Sequence, residues 1–300
     1  MPQRWQDFSF SANKHHEIAP HDTLKHELFV SGAFWAKQND PEAFYVPIPR
    51  HRIIGEDKDD EWKLNPQRKW ERDSEKLDLE VEYRWQRIDA WQRNASKIRK
   101  NKEMSNVPWE PVSFLHPHMK QNERHVLEKD GLFLENAVQM DEDCCLVYLS
   151  TYPLPDGWYR FGGEGHMVEI CSKEITPDST IHQLLSTKIQ KACALITPGA
   201  WGSNHLSYRY PKHSEFPKTG MKMLTDKPIP YRYRTGHRST ERGRLGRGRY
   251  AVPAGTVYVF KQALEKTWWD FPEAWFPKEG FPLKHLGCGL CLPVEIDGVI

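Results

Sequence analysis

The stretch GWYRFGGEGHMVEICSKEITPDSTIHQLLSTKIQKACALIT, Gly157 to Thr197, decides the fold class. Trp158 to Phe161 and His166 to Cys171 read as two short strands facing each other across a glycine loop. Thr176-Pro177-Asp178 then reads as the start of a helix, with Thr176 as N-cap and Pro177 at the first helical position. Leu184, Leu185 and Ile189 fall on one face of that helix, and Ala192 to Thr197 returns as a strand. A β-α-β unit set among antiparallel hairpins is the sequence trace of a ferredoxin-like sheet. The fold class predicted is therefore α+β, with two ferredoxin-like (RRM-like) halves, antiparallel sheets, long loops and a helical insertion.

Working outward, the text on the N-terminal side stays rich in strands back to Pro108. Val112 to His116 is followed by Arg124 to Leu127 and Leu132 to Val138 around Lys129-Asp130-Gly131, where Asp-Gly is a hairpin signal, and then by Cys144 to Thr151. Further back, Leu77, Val81, Trp85, Ile88, Trp91, Ala95 and Ile98 are spaced by three or four residues, which predicts one long amphipathic helix. Before it, Leu28 to Trp35 reads as a strand, Gly55 to Asp60 as a charged turn, and Phe44 to Pro49, with its prolines, as an edge strand or an extended lip. On the C-terminal side, residues 203–249 read as one long Pro/Gly/Arg/Tyr loop. Two last β elements, Ala251 to Lys261 and Leu286 to Ile296, bracket an aromatic loop carrying Trp268, Trp269, Phe271, Trp275 and Phe276. The organisation predicted is an abbreviated ferredoxin-like portion at 1–58, a helical insertion at 59–107, and a ferredoxin-like portion at 108–300 that holds the basic loop and a glycine-rich C-terminal strand.

Hydrophobic residues make up only 38% of the 300, yet the chain carries 12 Trp, 13 Phe and 11 Tyr. Aromatic side chains supply much buried area each, so such a chain folds and keeps aromatic surface for partners. No run of about 18 apolar residues occurs, which predicts no membrane span. The N-terminal text lacks a short apolar core behind a basic start, which predicts no secretory leader. Six sparse, uneven cysteines predict reduced thiols in a cytoplasm rather than a disulfide framework.

Net charge is +1, but its sign is segregated: Ser207 to Tyr250 holds twelve Lys or Arg against three acids, a local +9. That stretch also holds five tyrosines. Arginine forms bidentate contacts with phosphate and stacks on bases, tyrosine offers a stacking face, and glycine lets a backbone approach a strand. Single-stranded RNA suits this mixture, and an acidic protein partner is the competing reading. The residues predicted to clamp phosphates are Arg232, Arg234, Arg242, Arg244, Arg247 and Arg249, with Tyr233 and Tyr250 (and, as an alternative, Tyr231) stacking on bases.

The remaining motifs carry less. Gly163 and Gly165, before His166, form a tight turn whose amides are placed to meet phosphate, but no Lys-Ser/Thr ending or directly following helix makes it a P-loop. His15, His16 and His21 have the wrong spacing for a zinc helix, and Pro20 breaks it. Cys288-Gly289-Leu290-Cys291 lies in strand-like text, where a redox pair lacks its helix start and the cysteines read as small packing residues. His116, His118 and His125 near Lys120 and Arg124 read either as RNA contacts or as a metal-independent cleavage site. No metal and no cofactor is predicted.

Several stretches taken together resemble one family. They are Ser31 to Phe34 leading to Phe44 to Pro49; His116 to Phe133 with Arg124 and Gly131; Phe161 to His166; Ala251 to Phe260; and Leu286 to Leu290. In this order they are similar to the RAMP superfamily of CRISPR proteins, and within it to the third subunit of the type III-B (Cmr) effector complex, which holds the crRNA 5′ handle. Residues 1–30 depart from the strand and helix with which that family opens. The resemblance implies two ferredoxin-like halves, no catalytic centre, a groove for the 5′ handle of the guide RNA, and contacts to the large polymerase-like subunit and to the backbone RAMP subunit. The alternative is a RAMP-type endoribonuclease that processes precursor guide RNA. A pure protein adaptor would account for the Trp-rich loop but not for the local +9.

Overall fold

The computed structural model describes residues 29–73, 80–119, 125–129, 131–152, 154–161, 166–203, 206–232, 234–237, 240–245, 247–279 and 281–299, with backbone alone at 166, 234–237 and 240–245. In chain order the strands are β1 (Val30–Lys37), β2 (Tyr45–Pro47), β3 (Arg52–Ile54), β4 (Asp59–Glu61), β5 (Lys63–Leu64), β6 (Trp70–Glu71), β7 (Trp85–Arg87), β8 (Met104–Ser105), β9 (Trp109–Pro117), β10 (Leu132–Met140) and β11 (Cys144–Ser150). They continue as β12 (Gly157–Phe161), β13 (His166–Ile170), β14 (Ala192–Leu195), β15 (Lys222–Leu224), β16 (Ile229–Tyr231), β17 (Arg234–His237), β18 (Thr240–Leu245), β19 (Arg249–Ala251), β20 (Val257–Val259) and β21 (Cys291–Pro293). The α-helices among the described residues are short: α1 (Ala95–Lys100) and α2 (Thr180–Ser186). The fold is thus α+β, strand-rich, and antiparallel at the described pairings. No helix among the described residues is long and apolar enough to cross a membrane.

Two larger sheets organise the body, one in the order β11-β1-β2-β7-β8 and the other in the order β15-β20-β14-β21. One hydrophobic core joins them, because Val30, Phe34, Val46 and Trp91 pack in the same cluster as Leu195, Val257 and Leu292. The Trp91 indole N–H donates to the Pro293 carbonyl across this junction at 2.8 Å. On the other side of the first sheet Trp35 stacks on Tyr45 at 4.0 Å, and the edge-to-face pair of Trp85 and Trp109 extends this aromatic layer. Strand β1 is therefore buried on both faces, which explains why its sequence does not alternate.

The glycines at the sheet junction are there for space. Gly287 ends a 3-10 turn in the left-handed region (φ 65°), and a Cβ on it would fall 2.4 Å from the Ser31 side chain. Only glycine removes that clash while taking the positive φ without strain.

Four expectations are corrected. The long helix over 77–98 is not formed across the described part: Trp85–Arg87 pairs with β2, Ile88–Ala90 is a 3-10 turn, and α1 starts only where Asn94 caps it by accepting the Lys97 N–H at 2.9 Å. Ile88, Trp91, Ala95 and Ile98 are all buried, so three short elements meet the same three-and-four spacing that one helix would. Phe44 to Pro49 is no edge, because β2 lies between β1 and β7, and its proline falls at the strand end, where no further ladder N–H is needed. Thr176 does not cap α2: its carbonyl accepts the Ser179 N–H and hydroxyl, closing a turn around Pro177 and Asp178, and Ser179 is the N-cap. Nor does α2 link two strands of one sheet, since β13 pairs with β12 whereas β14 pairs with β20 and β21.

Candidate RNA interface

The long basic loop is the fifth correction, and the most consequential. Lys222–Leu224 joins the second sheet beside β20. Two antiparallel strand pairs then make up a ribbon among the described residues of this stretch: β16–β19, with Ile229 opposite Ala251 and Tyr231 opposite Arg249 at its root, and β17–β18, with Arg234 opposite Leu245, Thr235 opposite Arg244 and His237 opposite Thr240 further out. At the root Gly199 and Val252 exchange backbone hydrogen bonds, which ties the ribbon to the loop after β14.

The predicted contacts are distributed unevenly along this ribbon. Arg234 lies on β17, and Arg242 and Arg244 on β18, beyond the root. Arg232, Arg247 and Tyr250 are exposed, and the Tyr250 N–H is held by the Ser207 hydroxyl at 3.2 Å. Arg249 is turned inward, buried and ion-paired with Glu279. It therefore does not present its guanidinium to a phosphate, because one strand position must face the body where the ribbon joins it. Tyr231 packs against the core. Tyr233 lies outside the described residues. Glu279 is a residue that sequence reasoning missed, and nothing in its local text signals a partner thirty positions away.

The second group sits on the hairpin β9–β10. Its register runs from Trp109 opposite Met140 to Pro117 opposite Leu132, with a further bridge between Met119 and Val126. Asp130 lies outside the described residues, and the Gly131 carbonyl accepts the His118 N–H at 2.7 Å near the outer end of a hairpin much longer than the sequence suggested. His116 bonds Glu135 at 2.8 Å and stacks on Phe133 at 5.4 Å, and His118 meets the same ring edge-on. Phe114 and Phe133 are exposed beside them, two stacking faces that strand alternation would have revealed had the register been known. Lys120, Arg124, Gly163 and Gly165 lie outside the described residues. His166 opens β13 opposite Phe161, and on the same ladder Trp158 and Met167 are exposed. The β16–β19 and β17–β18 pairs of the ribbon and the β9–β10 hairpin are three separate two-stranded sheets.

Two further sequence features prove to be core. Trp268, Phe271, Trp275 and Phe276 are buried and Trp269 is exposed, so most of the Trp-rich loop belongs to the core rather than to an adaptor surface. Lys284 is buried beneath it, its ammonium donating to the Trp269 and Phe271 carbonyls at 2.6 and 2.8 Å, and burial lowers its pKa to about 8. Cys288 sits in a turn rather than a strand, with its sulfur accepting the Ala200 N–H at 3.1 Å, while Cys291 begins β21. Both are buried, and burial pushes the Cys288 thiol up to about 12.

A family model described as CRISPR-associated protein (Cas_Cmr3) matches residues 10–295. The chain belongs to this family. It is accordingly a CRISPR-associated type III effector subunit, from a multi-subunit complex that has protein and crRNA partners. No curated protein matches the chain. Two of the stretches that resembled the family, around Ser31 and around Gly287, meet at the sheet junction, where the glycine makes room for the serine.

Proposed function

We propose that this Cas_Cmr3 family chain is the non-catalytic RNA-binding scaffold that holds the 5′ handle of the guide RNA. On this reading it bridges the large polymerase-like subunit and the first backbone RAMP subunit, with the two larger antiparallel sheets as its ferredoxin-like halves. The observation that carries the reading is that the arginine-rich end of the +9 tract contains the strand pairs β16–β19 and β17–β18, because cations on a narrow ribbon reach a phosphate chain that a solvated loop would have to be ordered to meet. Arg232, Arg234, Arg242, Arg244 and Arg247 supply phosphate contacts, and Tyr250 a stacking face. Phe114, His116, His118 and Phe133 on one face of the β9–β10 hairpin form a second stacking surface, and Lys120, Arg124, Gly163, Gly165 and His166 supply further RNA contacts.

The non-catalytic part rests on His116. RNA cleavage without metal needs a base and an acid converging on one phosphate, whereas the His116 ring is committed to Glu135 and Phe133. A cytoplasmic setting is in keeping with six free cysteines. The test is native purification of the complex followed by sequencing of its small RNA. One uniform 5′ end retained with this chain is the expected result; RNA without a defined 5′ end, or a chain that carries none, overturns the proposal.

A further inference from the structure

The +9 tract begins at Ser207, well before the ribbon, and the fold brings that beginning back to the ribbon root. The link is a backbone group that the ladder leaves over. Pro230 stands opposite Tyr250 in the β16–β19 pair, and proline has no N–H, so this rung does not exchange the two backbone hydrogen bonds of a bonded pair. The Tyr250 N–H donates instead to the Ser207 hydroxyl, forty-three residues away, at 3.2 Å. Side chains approach most closely at a rung of this kind, and both are exposed here. On the alternate positions Arg249 and Ala251 are buried, and Ile229 and Tyr231 pack against the core.

The segment that follows Ser207 is held at three successive residues. Tyr208 packs against the core, the hydroxyl of buried Tyr258 donates to the Arg209 carbonyl at 2.6 Å, and Tyr210 stacks on Phe216 at 5.7 Å. With its backbone tied down, the segment presents two cations to solvent. Arg209 and Lys212 are exposed, and neither meets a carboxylate among the described residues. Lys212 lies over the Tyr208 ring, with its ammonium 3.3 Å from the hydroxyl oxygen. Unpaired cations on an ordered segment beside an exposed tyrosine and proline suit a single strand of RNA: phosphates take the place of carboxylates, and a base lies flat on the ring pair. Part of the ordering entropy that such a contact must overcome is already met by the fold. Acidic side chains of a protein would satisfy the same cations but offer no flat face to the Pro230–Tyr250 platform.

We infer that single-stranded RNA leaves the ribbon across the Pro230–Tyr250 platform and continues onto the 207–212 segment, where Arg209 and Lys212 take its phosphates. The inference rests on the RNA reading of the ribbon and deepens it. Arg209→Ala with Lys212→Ala in the full chain, titrated with a single-stranded oligoribonucleotide of the CRISPR repeat at several salt concentrations, tests it. The salt slope should flatten by ~0.7 for each of the two contacts, and binding at physiological salt should weaken about tenfold, with the urea midpoint unchanged. Lys218→Ala with Lys222→Ala removes the same charge from β15 and the turn before it, and should do neither. Equal effects of the two pairs would show that net charge alone is acting and overturn the inference. Full binding by the Arg209/Lys212 variant overturns it alone if the ribbon arginine variant binds weakly, and overturns the ribbon reading with it if that variant also binds fully. A second measurement places the photo-crosslinking amino acid p-benzoylphenylalanine at Leu206, an exposed residue next to Ser207, in the complex assembled with its guide RNA. An adduct to RNA is expected; an adduct only to a protein subunit, or none, overturns the inference.

Discussion

Glu279 commits both carboxylate oxygens to one stretch of chain: one pairs with the Arg249 guanidinium, and the other accepts the Arg247 backbone N–H at 3.3 Å. Both side chains of the ion pair are well buried. The pair stands where the basic ribbon meets the body and anchors its root there.

Removing one member strands a buried charge. Glu279→Ala should destabilise the chain by about 3 kcal/mol, read as a lower urea midpoint, while Arg249→Leu with Glu279→Leu should recover much of that loss. Equal loss in the single and double variants would show that packing, not charge, holds the root.

The other arginines of the ribbon should behave otherwise. Replacing Arg232, Arg242, Arg244 and Arg247 by alanine should leave the urea midpoint nearly unchanged, weaken binding of any single-stranded RNA, and flatten the salt dependence by up to ~0.7 per lost phosphate contact. Tyr250→Ala should cost ~1–3 kcal/mol of RNA binding with the salt slope kept. Titrations at several salt concentrations separate the two, and an arginine variant with full RNA affinity that loses a partner subunit would make the ribbon a protein interface.

His118→Ala should leave guide-RNA maturation intact, and the purified chain should not cut RNA carrying its own CRISPR repeat. Gel analysis of repeat RNA with chelator present is the measurement. Cleavage that disappears in the variant would select the endoribonuclease alternative.

The cysteines give a test of burial. Iodoacetamide on the native protein should label exposed Cys171 and spare Cys288 and Cys291, as seen by peptide mass spectrometry. Cys288→Ser with Cys291→Ser should alter neither assembly nor RNA content. The Cys288 thiol keeps its proton up to about pH 12, whereas in the unfolded chain it loses it near its ordinary value of 9.0. The folded state therefore binds more protons between those values, and this group's contribution to stability is complete below pH 9 and falls as pH rises towards 12. Cys288→Ser should flatten that alkaline limb.

The sequence by itself determined the α+β class and the family. Antiparallel strands at Cys144 to Thr151 and Trp158 to Ile170, the +9 with its tyrosines, and the ordered glycine stretches that carry the family match were all legible, because strand propensity, charge and turn chemistry are local. Tertiary structure decided the rest. Apolar residues three and four apart from Trp85 to Ile98 fit one helix or three short elements equally well, and pairing with Tyr45 to Pro47 chose between them. Arginines and glycines at 242–249 do not reveal a ribbon until its other strand lies alongside. Nor does Arg249 differ from Arg247 in the text: the two are separated only by Glu279, thirty residues away, which buries one and leaves the other in water. Burial and pairing depend on contacts distant in the chain, and such contacts leave no local trace.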